Sequence, residues 1–129
     1  MTTDARRAVA TLWSDAAAAD TARRLVQDLC AQSRLPEHLV ADAAVVAAEL
    51  VRAGEPAAGR TLRVHVHVGP DRLTLRIQQP VAPHPSDEAV RAWETVRRLA
   101  SSFGYRHDRR GHERWALLRV PTLATDIAA

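Results

Sequence analysis

Apolar positions recur at two different periods along this chain, and the changes of period mark out its elements. Val9, Thr11 and Trp13 alternate with small residues over Ala8–Trp13, as in a strand. Ser14 or Asp15 then offers a side-chain oxygen to cap a helix. Ala18, Ala22, Leu25, Val26, Leu29 and Cys30 follow at helical spacing, with Arg23, Arg24, Gln27 and Asp28 on the other face, so this helix should end near Ser33. Leu35-Pro36-Glu37 opens a second helix, because proline suits a first turn. Its stripe is Leu39, Ala43, Val46, Ala47 and Leu50, and Gly54 is its expected stop.

The period then drops to two. Leu62, Val64, Val66 and Val68 alternate with Arg63, His65 and His67, and Leu73, Leu75 and Ile77 with Thr74, Arg76 and Gln78. Gly69-Pro70-Asp71 between them makes the pair a hairpin. Gln79 to Asp87 holds three prolines and reads as a loop, ending at a Ser86 or Asp87 cap. Val90, Trp93, Val96, Leu99, Ala100 and Phe103 return to helical spacing, which predicts a third helix closed by Gly104. Strands are expected at Tyr105–Arg109 and Arg114–Val120, joined through Arg110-Gly111-His112. This order predicts an α+β fold: a two-layer α/β sandwich with three helices on one face of a mixed, mostly antiparallel sheet. A chain of 129 residues makes one domain, 1–129, with its core at about 8–121 and a loose tail at 122–129.

Composition narrows the chemistry. All 18 basic residues are arginine, which excludes phosphate-binding GK[ST] loops and lysine nucleophiles. Asparagine is also absent, so no Asn can ligate Mg²⁺. Cys30 is the lone cysteine, which rules out an internal disulfide and points to a reducing, cytoplasmic compartment. No apolar run spans a membrane. Charge is uneven: residues 1–59 carry six arginines against eight acids, net −2, and residues 60–129 twelve against seven, net +5. The second half should therefore face an acidic partner or a phosphate-bearing ligand. Nucleic acid is not expected, because no helix-turn-helix or zinc motif accompanies the arginines and only 4% of residues are aromatic. His65 and His67 share a strand face but have no third ligand placed, so no metal site is expected. Arg97, Arg98, Arg106, Arg109, Arg110 and Arg114 form the late basic cluster, a solvated face in which Arg106, Arg109 and Arg110 flank a turn and are candidate partner contacts. Trp13, Trp93 and Trp115 read as core or interface residues.

The runs Ala22-Arg23-Arg24-Leu25-Val26, Leu35-Pro36 and Ala47-Ala48-Glu49-Leu50-Val51 resemble actinobacterial anti-sigma-factor serine/threonine kinases of the GHKL ATPase superfamily. Trp93 to Gly104 and Trp115-Ala116-Leu117-Leu118-Arg119-Val120-Pro121 resemble that family's last helix and strand. The resemblance implies a Bergerat-type sandwich. It also implies roles for three motifs. Glu49 matches the catalytic Glu, but the family's Mg²⁺-binding Asn position is Ala53. Gln79 falls at the adenine-binding Asp, and Ser86 to Ala92 replaces the phosphate-cradling Gly-x-Gly stretch without a glycine. Expected from this is a degenerate, non-enzymatic module with no cofactor, whose partner is a sigma factor or the small antagonist protein, with a homodimer allowed. The alternative is an active anti-sigma kinase using ATP and Mg²⁺.

Overall fold

The computed structural model describes residues 6–54 and 60–121. Their elements are β1 (Arg6–Trp13), α1 (Ala18–Ala31), α2 (Glu37–Arg52), β2 (Thr61–Val68), β3 (Arg72–Gln79), α3 (Asp87–Leu99), β4 (Ser102–Asp108) and β5 (Gly111–Arg119). The sheet order is β1-β2-β3-β5-β4. All four pairings are antiparallel, so the mixed component expected from the sequence is absent among the described residues. The reason is connectivity: β4 is reached first, takes the edge, and turns back so that β5 pairs with β3.

The period-two stretches form strands because one face of the sheet is covered and the other is not. Val64, Val66, Leu73, Leu75, Ile77, Ala116 and Leu118 are buried and join one core with α1 and α2. Val26, Val46 and Leu50 supply its helical side. Each such side chain contributes about 1.5–3 kcal/mol on burial, and truncating Leu75 to Ala would cost about 2–5 kcal/mol. Cys30 is buried in the same core, and burial pushes its thiol pKa up.

Three boundaries differ from expectation. The α1 N-cap residue is Ala17, with no side-chain cap, and Asp15 Oδ1 instead accepts from the Ala17 amide at 2.9 Å, a turn that delays the helix. Helix α3 begins as predicted, with Ser86 Oγ accepting from the Ala89 amide at 3.0 Å. It ends at Leu99, where Ala100 is already extended (ψ 147°). Phe103 and Gly104 therefore lie in β4 and do not close α3. Their helical spacing is a coincidence of position: Phe103 and Tyr105 alternate along β4 and meet Trp93 of α3 at ring distances of 5.8 and 6.1 Å. Gly104 sits across from Trp115, and a Cβ there would lie 2.9 Å from the indole. The third difference is at β5, which starts at Gly111 rather than Arg114. Gly111 has φ +124°, a conformation that needs glycine. The tail at 122–129 lies outside the described residues.

Candidate functional site

Because side chains alternate along a strand, β5 sends His112, Arg114, Ala116 and Leu118 toward the helices and Glu113, Trp115, Leu117 and Arg119 to the open face. The inward arginine decides the character of the site. Arg114 is 1% exposed and is the largest fully buried side chain. Its Nε donates to the Leu50 carbonyl at 2.7 Å, and its Nη1 donates to Gln79 Oε1 at 2.8 Å. Leu50 lies in the last turn of α2, where carbonyls lack intrahelical partners. Arg114 thus caps α2 from the sheet, with its charge at the negative end of the helix dipole. The fit is close: a Cβ on Gly54 would lie 2.5 Å from Nη1. Nη2 is buried without a partner, and no carboxylate pairs with this guanidinium among the described residues. Burial pulls its pKa down to about 10. Arg114 is therefore no part of a solvated basic face. Apolar residues on both sides of the alternation, Ala116 and Leu118 against Trp115 and Leu117, hid which face was buried.

His112 is one residue pair away on the same inward side. It is 5% exposed, and neither ring nitrogen has a hydrogen-bond partner among the described residues. Burial first, then the positive charges of Arg114 and His107, lower its pKa to about 4. It is neutral near pH 7, with its ring 5.8 Å from that of Tyr105.

On the open face, Thr11, Arg63, Gln78, Glu113 and Arg106 form one row across all five strands. Gln78 Nε2 donates to Glu113 Oε2 at 2.8 Å, and its Oε1 meets His65 Nε2 at 2.8 Å. Arg106 and Arg76 flank the same carboxylate at 3.3 and 3.6 Å.

The residues singled out from sequence divide into two groups. Gln79, Arg106 and Arg110 come together, lining a cavity of about 410 Å³ at one end of the sheet, with Arg63 and His112. Arg109 and Arg110 form the β4–β5 turn, and Arg109 does not line the cavity. Glu49 stands apart on α2, paired with Arg52 at 2.8 Å. Gln79 has both amide groups engaged, since its Nε2 donates to the Val81 carbonyl at 2.7 Å. His65 is engaged with Gln78, and no group of three His, Cys, Asp or Glu among the described residues could hold a metal ion.

No family model matches the chain, and no curated protein matches it. Among solved structures, the crystal structure of the RsbU and RsbW domains of Rv1364c from Mycobacterium tuberculosis is similar, with a TM-score of 0.70 and 14% identity. The match covers 92% of this chain and 33% of that one, so this chain spans about a third of that length. The likeness shows the fold: the α+β sandwich predicted from the order of elements is the architecture found there.

Proposed function

We propose that this chain is a regulatory protein-binding module on the anti-sigma-kinase fold, without Mg-ATP phosphotransfer. Arg114 carries the reading. Its guanidinium fills the space between the end of α2 and Gln79, the residue that the resemblance aligns with adenine recognition. A base binding there would have to displace two hydrogen bonds from a charged donor, worth about 1.5–3 kcal/mol each. Roughly 3–6 kcal/mol amounts to a loss of more than 100-fold in affinity. Other positions support the same reading. Ala53 offers no oxygen to Mg²⁺, Ser86 to Ala92 has no glycine to bring amides close to phosphate, and Glu49 is paired with Arg52. Losing even one preorganised donor typically costs 100- to 1000-fold in rate.

The partner, by the resemblance, is a sigma factor or its antagonist protein, met by the basic surface that includes Arg106, Arg109 and Arg110. No helix among the described residues is long and apolar enough to cross a membrane. The test is thermal unfolding with and without millimolar Mg-ATP. Ligand at 100 times its Kd would add about 2.7 kcal/mol; we expect no shift. A rise of several degrees that Glu49→Ala abolishes would overturn the degenerate reading and favour the kinase alternative.

A further inference from the structure

The open face of the sheet has the make-up of an interface core. Beside the row of Arg63, Gln78, Glu113 and Arg106 runs a second: Val9, His65, Arg76, Trp115 and Gly104. Trp115 faces Gly104 without a side chain between them, since a Cβ there would lie 2.9 Å from the ring. At the other edge of the sheet, on β1, Val9 is 52% and Trp13 65% exposed. Trp and Arg are the residues that most often dominate binding energy. Across these two rows and the next, Arg7, Arg63, Arg76 and Arg106 stand against one carboxylate, Glu113. At the end of the face the cavity adds Arg110, with Asp108 and Glu113 as its acids. Arg63 and Arg110 form no ion pair among the described residues.

We infer that the open face of the sheet, rather than the β4–β5 turn alone, is the docking surface, and that it takes an acidic protein surface. Carboxylates of the partner would flank an apolar side chain set on Trp115 and Leu117 of β5, one of them entering the cavity between Arg63, Arg106 and Arg110. The inference rests on the protein-binding reading above. A second copy of this chain would bring arginine rows against arginine rows, which costs energy. Nucleic acid fits less well: a phosphate backbone is a continuous line of charge, and the apolar pair Trp115 and Leu117 on β5 interrupts the run of cations. Arginine forks match carboxylates in pairs, and Arg63 and Arg110 are available to do so.

The chain's three tryptophans supply the test. Trp13 and Trp115 face outward from the sheet, and Trp93 lies on α3. Indole N–H resonances, assigned by single Trp→Phe variants, are followed while a soluble 12-residue peptide alternating Glu and Leu is added. Parallel titrations use the same peptide with Gln for Glu, and oligothymidylate. We expect the Glu peptide to move Trp115 and Trp13 and leave Trp93 in place, with affinity falling at least tenfold in 0.5 M salt. Arg63→Glu/Arg110→Glu should lower affinity at least tenfold with the melting temperature unchanged. Arg63→Gln/Arg110→Gln, a milder pair, should lower it less. The inference is overturned by movement of Trp93 alone, by equal binding of the Gln peptide, by tighter binding of oligothymidylate, by full affinity in the well-folded Glu variant, or by no binding at millimolar peptide. The Mg-ATP experiment remains independent: a nucleotide shift removes the degenerate reading while the indole map still judges this surface.

Discussion

Glu113 and Arg114 are neighbours in sequence and opposites in setting. Arg114 points to the helices, where water is excluded and each donor needs a protein acceptor; two of its nitrogens have one and the third has none among the described residues. Glu113 points to the open face, where it is itself 9% exposed but is surrounded by Gln78 and by two arginines that stay in contact with water. The same chemical types are thus structural on one side of the sheet and available for binding on the other. The difference lies in the cation: a buried group stranded by loss of its partner costs several kcal/mol, a pair whose arginine stays in water about 1 kcal/mol or less.

The sharpest way to break this comparison is to remove Arg114. Arg114→Ala should cost about 2–4 kcal/mol in urea unfolding, because it leaves a cavity, the Leu50 carbonyl and Gln79 Oε1 without their partner. Arg114→Met, which keeps the volume without the charge, should cost clearly less. Equal losses would mean that the hydrogen bonds, not the packing, dominate.

Next in size is the pH dependence of His112. Its folded-state pKa of about 4 lies below the ordinary 6.5, so the unfolded chain binds more protons between those values. Its contribution is full above pH 6.5 and is lost as pH falls toward 4, up to about 3 kcal/mol at 1.36 kcal/mol per unit. His112→Phe should flatten the acid limb of the stability curve relative to the parent protein. A parallel limb in both would show that His112 is not buried neutral.

Gly54→Ala comes third, at about 1–3 kcal/mol, because the new methyl would meet the guanidinium. Combined with Arg114→Ala it should be much less than additive, and a double-mutant cycle measures the coupling. Additive losses would place the strain elsewhere.

The smallest effect belongs to the open face. Glu113→Gln should cost about 0.5–1 kcal/mol at low ionic strength and less in 0.5 M salt. A loss as large as that of Arg114→Ala would erase the contrast between the two faces.

The amino-acid sequence by itself determined the order of elements, the hairpin of β2 and β3, the Ser86 cap and the buried stripes of α1 and α2, because each follows from a local period or a local hydrogen bond. It also carried the charge imbalance, though not its placement. Tertiary structure decided three things. Phe103 became strand, since Trp93 on another element receives it. The sheet became antiparallel throughout, since β4 reaches the edge before β5 pairs with β3. Arg114 became core, since only a helix end 64 residues away in sequence offers the carbonyl that makes its burial tolerable. Local periodicity is written in neighbouring residues, but whether a charged side chain may leave water depends on partners that only the folded chain brings within reach.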